Sequence, residues 1–417
     1  MTTWRSISGR SGFTALAAVV FLLALLLVAA GRPQAAAAGG VGKWTDLTGR
    51  TGTNLTQAGL VVTPDGLLHV AWIRDGAAAG TQDLLWRDVK KTGGFTSAKV
   101  LESAWAGLND PSVVYDPSTS ETGVVFGGIR STSPSDPYDG LTFTVTPDGG
   151  STWQLYPSGV IDPPGSTAYS SPVSAIGVDA WLYTTWYGSN GVWVHRGLDP
   201  SAPAYDYQSG LGNYGYYSDF GLDHGGDLWL VWASNATGES GVWAARVDQS
   251  SGAMLGSPVK LPGSTTRFAG AQQFDMMTSR VPVTGRPNAG GVYVAYPTGY
   301  PSTKVVKLWK LTASKVSSVT VATGSRAKDQ TAVAADGKGH VWVVWSQEAS
   351  GRDRVYVRRS NASATKFGPV RYFTVPKGWD TVFHLAAAAR GGRLDVLAHL
   401  GGTKGEATWH IQFKPPV

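Results

Sequence analysis

Five aspartates hold one recurring position in this 417-residue chain: Asp110, Asp219, Asp275, Asp329 and Asp380 each stand just before, or at the start of, a short apolar segment. Gln57 and Ser171 fill the same slot in two further copies. Carboxylates gathered in one place raise one another's pKa, which suits acid–base work on a substrate, or they bind a cation, Ca²⁺ being one that such a set could hold. Each Asp could equally cap its own turn by accepting backbone N–H groups. Both readings are open in the sequence. Rings accompany the acids: Tyr217, Phe274 and Trp379 lie within two residues of Asp219, Asp275 and Asp380, and Tyr214 and Tyr216 approach the same point. Flat rings stack on the C–H faces of sugars while carboxylates accept sugar hydroxyls; core packing is the alternative for any one ring, Phe274 above all. Arg74, Arg130, Tyr187, Glu348 and His399 fall in loops of the same face. Arg74 and Arg130 could hold an acidic sugar by bidentate contacts, or be solvated surface groups. The candidate catalytic set is therefore the five aspartates, and the candidate substrate-binding set is Arg74, Arg130, Tyr187, Tyr217 and Trp379. No residue is assigned to a metal, and nothing in the sequence requires a cofactor.

Positioning such a set takes a repeated scaffold, and the chain contains one. A short apolar strand leads to a turn, often Asp-Gly or Gly-Gly, and then to an alternating strand ending in an aromatic residue. Clear copies are Asp65-Gly66-Leu67-Leu68-His69-Val70-Ala71-Trp72, Gly226-Asp227-Leu228-Trp229-Leu230-Val231-Trp232, and the stretch from Asp336-Gly337 to Trp345. Third strands follow, such as Val242-Trp243-Ala244-Ala245, and fourth strands, such as Val259-Lys260-Leu261. Four strands per unit, repeating every roughly 46 to 64 residues, describe an all-β propeller. Seven units are found, with six open if two weak ones merge. The last unit ends at Phe413 without a fourth strand, and Lys43-Trp44-Thr45-Asp46-Leu47 supplies it from the other end of the chain, closing the ring. His69 and His340 lie in second-strand patterns and read as packing residues.

Composition narrows the function classes. Apolar residues make up 42% and charged residues 15%, enough for a large core. The formal charge of +6 falls to +3 once Arg5, Arg10 and Arg32 of the leader are removed, and no run of Lys and Arg would track phosphates, so nucleic acid is not an expected partner. Cysteine is absent, which excludes disulfides, thiolate metal sites and a Cys nucleophile. Arg5 and Arg10, the apolar run Phe13 to Ala30 interrupted only by Thr14, and Ala36-Ala37-Ala38 read as a secretory signal peptide over residues 1–38, with an uncleaved anchor helix as the alternative. Residues 39–417 then form a single propeller domain outside the cell, expected to be a monomer, free of the membrane once the leader is cleaved.

One motif is sharp. Thr146-Pro147-Asp148-Gly149-Gly150-Ser151-Thr152-Trp153 fits the Asp box, S/T-x-D-x-G-x-T-W, at every defined position. On this motif and the repeats, the chain resembles the sialidase-like propellers built from bacterial neuraminidase repeats. The resemblance implies a propeller of four-stranded blades, with Asp boxes as structural turns on the face away from the ligand. The family's Phe/Tyr-Arg-Ile-Pro motif is absent, so none of its catalytic residues carries over. The reading that results is a secreted, carbohydrate-active propeller acting on an extracellular glycan, either a glycoside hydrolase or a polysaccharide lyase. The alternative is a non-catalytic propeller that binds glycans or cell surfaces.

Asp148→Ala should lower stability by about 1–3 kcal/mol, by leaving turn amides unpaired, and leave ligand binding intact. Thermal melts and binding on the same variant check this, and native stability with abolished binding would reverse the placement of the motif.

Overall fold

Alternating apolar segments separated by Gly-containing turns can bury their surfaces only by pairing edge to edge and then stacking face to face. The computed structural model shows this arrangement over the residues it describes, 42–52, 56–130, 139–146, 152–156, 160–161, 173–188, 191–211, 215–265, 280–299 and 302–414. Those residues form seven antiparallel sheets arranged as the blades of a propeller, and no helix occurs among them. The innermost strands are Gly59–Val62, Ser112–Asp116, Ser174–Val178, Gly215–Leu222, Val283–Gly285, Thr331–Ala335 and Thr381–Arg390, in blades I to VII. Each contacts the next, and that of blade VII returns to that of blade I.

Second strands carry the core. Every residue of Leu228–Ser234 and of Val292–Thr298 is buried, because each of these strands lies between two neighbouring blades. This is why both phases of the alternation are apolar. Trp72, Trp232, Trp309, Trp342 and Trp345 are fully enclosed between blades. Burying a large apolar side chain contributes about 1.5–3 kcal/mol. The turns from first to second strand repeat one device. Asp336 Oδ1 accepts the amides of Lys338 and His340, each at 3.0 Å. Asp223 Oδ1 does the same for Gly225 at 2.8 Å and Asp227 at 3.0 Å. Gly226 and Gly339 take the left-handed conformation these turns need, with φ of 87° and 86°.

The seventh blade closes as the sequence predicts. Its strands Thr381–Arg390, Arg393–Gly402 and Gly405–Phe413 are completed by Thr45–Asp46, with Thr45 opposite His410 and Asp46 opposite Trp409. Pairing extends on both sides of that short strand, through Gly42 N to Gln412 O at 2.9 Å and Leu47 N to Thr408 O at 3.0 Å. Inside blade VII, Asp395 receives Arg390 at 2.7 Å, His410 at 2.8 Å and Gln412 at 2.9 Å. Burial would push the Asp395 carboxyl up, but the hydrogen bond and charge of His410, followed by those of Arg390, hold it down at about 2. Arg390 also donates to the carbonyls of Gly66, Val89 and Lys90, which fastens blade VII to blade I. His69 is a packing residue as expected, stacked on Trp86 and bonded to Asp88 at 2.7 Å and Thr63 at 2.8 Å.

In the Asp box, Trp153 packs against Trp86 with ring centroids 4.7 Å apart, while Asp148 lies outside the described residues.

Deleting residues 39–50 removes the outer strand of blade VII and the pairing that closes the ring. A fall in melting temperature by calorimetry is the expected outcome, and an unaltered melt would show that the N-terminal segment does not hold the fold.

Candidate functional site

The seven inner strands enclose a central channel with a cavity volume of about 450 Å³. Its wall is apolar along most of its length, through residues such as Leu60, Val114, Ile176, Leu222 and Ala386–Ala389. Polar groups gather where the inner strands begin: Gln57, Ser112, Ser174, Asp219 and Arg280.

Asp219 reaches this mouth because its strand is irregular. Tyr216 pairs with Ala233 and Asp219 with Val231, so one extra residue is accommodated between them as a bulge. Tyr217, within the bulge, has φ of 55°, a conformation that costs a residue with a side chain roughly 1–2 kcal/mol. The carbonyl of Tyr217 accepts the Val281 amide at 2.7 Å, which holds the bulge against the segment leading into blade V. Asp219 is half-buried in the channel wall. Its Oδ1 accepts the Ser174 hydroxyl and, at 2.9 Å, the Phe220 amide. Burial pushes its carboxyl up to about 6, against the opposing charge of Arg280 and these two hydrogen bonds.

Arg280 is the hub of the mouth. Its Nε donates to Val173 O at 3.0 Å, and Nη2 donates to Val173 O at 2.7 Å, Pro111 O at 2.8 Å and Asp110 O at 3.3 Å. One buried guanidinium thus ties the entry of blade V to the entries of blades II and III. The tyrosines form a cluster beside it. Tyr187 meets Tyr216 edge-on at 5.3 Å and Tyr217 at 5.8 Å, and Thr185 Oγ1 donates to Ser218 Oγ at 2.8 Å. Burial, followed by the charge of Asp110, raises the Tyr187 phenol well above its ordinary range, so it keeps its proton at neutral pH.

The five sequence-derived acids divide. Asp219 alone of the four described lines the channel. Asp110, 4% exposed, accepts the backbone N–H of Gln57 at 2.9 Å, a bond from blade II to the entry of blade I and not a cap on its own turn; the Gln57 side chain in turn donates to Leu385 O at 2.9 Å. Asp329 and Asp380 belong to a second acidic group on blades VI and VII with Asp353 and Glu348. Asp380 pairs with Arg352 at 3.2 Å. Asp353 accepts the Val382 amide at 2.7 Å and is pushed up to about 6 by burial, then by the charges of Asp329 and Glu348. Asp275, with Phe274 and Tyr214, lies outside the described residues.

The sequence-derived binding residues divide too. Tyr187 stands at the mouth, half-buried. Tyr217 is at the mouth but only 3% exposed, so it supports the cluster from behind. Trp379, 5% exposed, packs edge-on to Trp409 at 5.7 Å within the core of blades VI and VII, and its ring is not offered to solvent. Arg74 is paired with Asp83 at 3.1 Å. The Arg130 amide donates to Asp139 at 2.9 Å, and its charge acts on Glu102, whose carboxyl burial lifts to about 7. His399 lies 3.5 Å from Glu406. Among the described residues no group of three acids or histidines is placed to hold a metal ion.

Sequence reasoning missed Arg280 and Asp353. Each had a local signal: Arg280 directly precedes the inner-strand segment Val281-Pro282-Val283, and Asp353 sits between Arg352 and Arg354 just after the turn at Gly351.

No protein-family model matches the chain, and no curated protein matches it. Solved structures do resemble it. A protein of unknown function from Dyadobacter fermentans is 12% identical, with a TM-score of 0.54 over 90% of this chain and 99% of that one. A polysaccharide lyase of a new family, the PL25 ulvan lyase, is 12% identical, with a TM-score of 0.51 over 88% and 97%. The NanB sialidase of Streptococcus pneumoniae is 8% identical, with a TM-score of 0.50 over 80% and 69%. What this chain shares with them is the seven-bladed propeller of four-stranded blades, the fold expected from the sialidase resemblance.

Asp219 gives a pH signature. Its carboxyl is raised on folding, so the proton it carries stabilises the fold below about pH 4, and that contribution disappears as pH rises through about 6. Asp219→Asn has no such loss. The melting temperature of the variant relative to the native protein should therefore increase between pH 4 and pH 7, and parallel curves across that interval would contradict the assignment.

Proposed function

We propose that this protein is a carbohydrate-active enzyme, a glycoside hydrolase or polysaccharide lyase, that binds a glycan across the channel mouth and uses Asp219 as its proton-exchanging group. The observation that carries this reading is a half-buried carboxyl in the channel wall, hydrogen-bonded to Ser174 and held near pH 6, where it gives and takes a proton readily. Glycosidic cleavage and β-elimination both require such a group at the scissile linkage. Tyr187, whose ring packs edge-on to Tyr216 and Tyr217, keeps its phenol protonated as a hydrogen-bond donor. Arg280 is occupied by three backbone carbonyls and acts as a positioning residue for Asp219. Propeller neighbours that are a polysaccharide lyase and a sialidase support the substrate class. The leader over residues 1–38 supports export, which puts the substrate outside the cell.

A glycan-binding propeller without catalysis is the second reading, and one observation favours it. Asp219 Oδ1 accepts the amide of its own neighbour Phe220, a local capping bond.

Purified protein assayed on a panel of polysaccharides, reading new reducing ends for hydrolysis and ultraviolet-absorbing unsaturated ends for elimination, separates the two. Asp219→Asn should reduce turnover at least about tenfold, about 1.4 kcal/mol, with the fold retained. Glycan binding with neither product would establish the binding module instead.

A further inference from the structure

The end of the propeller opposite the channel mouth carries a second cleft, of about 260 Å³, between blades II and III. Its floor is apolar, formed by Val114, Phe143, Leu182 and Leu198. Trp181 stands at its edge, 45% exposed, and among the described residues it shares such exposure with one other large aromatic side chain, Tyr372. One face of the indole is covered by the Arg196 guanidinium, whose Cζ is 3.4 Å from the ring centroid. Arg196 is itself fixed, donating to Tyr183 Oη at 3.3 Å, and Tyr183 donates to Gln249 O at 2.6 Å. The indole is thus a braced platform.

The backbone that presents Trp181 is strained. Asp179 and Ala180 link the inner and second strands of blade III, with φ of 50° and 64°. Two consecutive left-handed residues suit Asn-Gly or Asp-Gly, and here the second is alanine. Asp116 of blade II maintains the turn from the neighbouring sheet, accepting the Ala180 amide at 2.8 Å. Its other oxygen accepts the Ser118 amide at 2.8 Å and hydroxyl at 2.6 Å.

From this geometry we infer that the cleft beside Trp181 is a second glycan-binding site, which takes one pyranose ring of a neutral polysaccharide on the indole. The size is right for a single ring, since the cleft is smaller than the roughly 300 Å³ at which sites for drug-sized ligands begin. An apolar floor with a few polar groups at the rim matches a sugar with one C–H face and hydroxyls at its edge. Thr119 and Glu121, both exposed, supply that rim. The exposed carboxylate of Glu121 at the rim disfavours an acidic sugar. Lying at the opposite end from Asp219, the site would hold a polymer to the protein without occupying the mouth. It stands whether or not the mouth is catalytic, because it rests on different residues and its readout is binding.

The test uses affinity electrophoresis of Asp219→Asn protein, to prevent degradation, in gels containing hydroxyethylcellulose, arabinoxylan, galactomannan or laminarin. Retardation by at least one of these is expected. Adding Trp181→Ala should weaken it at least tenfold, with Trp181→Phe staying within about threefold and both melting within a degree or two of the parent. No retardation in any gel, or equal retardation after Trp181→Ala, would overturn the proposal.

Discussion

A propeller blade cannot stand alone, because both of its faces are apolar. Each of the seven sheets needs a neighbour on either side, and a ring satisfies that need only if its ends meet. Here the meeting point is a strand of two residues, Thr45–Asp46, laid along Gly405–Phe413. So short a strand would be weak by itself. Backbone pairing at Gly42, Leu47 and Thr51 extends the contact, and Leu47 is fully buried. The Arg390–Asp395–His410 group adds a second fastening within the same blade, reaching three carbonyls of blade I. All the interblade cores depend on this closure, since opening one seam exposes two faces of second-strand Trp, Val and Leu residues.

The mouth relies on the ring in turn. Arg280 fits three carbonyls from blades II and III only while those blades hold their relative positions, and Asp219 keeps its environment only while Arg280 is seated. Several features there work against stability: a tyrosine with positive φ, a carboxyl raised by burial, a buried guanidinium without a bonded carboxylate partner among the hydrogen bonds described. A site assembled from several blades can keep such features because no single blade has to compensate for them. The rigidity of the closed ring does so collectively.

The blades were legible in the sequence because their signal is local. Asp-Gly turns, period-two alternation and terminal aromatics recur within each unit, and the orphan strand at Trp44–Leu47 matched a missing fourth strand at the other end. The site was legible only in part. Aligning repeats placed Asp110, Asp219, Asp329 and Asp380 in one slot, but a slot fixes a backbone position and not what the side chain meets there. Asp110 turns to the Gln57 amide, Asp380 to Arg352, and Asp219 reaches the channel because of a bulge that the alternation pattern does not reveal. Trp379 and Trp181 show the same limit from two sides. Both are tryptophans at strand ends; one is enclosed by the next blade and the other exposed, and only the packing of neighbouring blades decides which.

Arg280 illustrates why the decisive contact escaped a repeat-based reading. Repeats identify what blades have in common, whereas a functional mouth on a ring with sevenfold pseudosymmetry must break that symmetry. The residues that break it are by definition those without counterparts: an arginine in one entry segment, a bulge in one inner strand, three tyrosines on two adjacent blades. Their chemistry follows from the asymmetry. A ring of seven equivalent carboxylates would present a uniform field and no direction to a bound chain. One raised carboxyl, bonded to Ser174 and set against the charge of Arg280, gives the mouth a direction that seven equivalent carboxylates would lack. The fold thus contributes the closed frame, and departures from its repeat contribute the site.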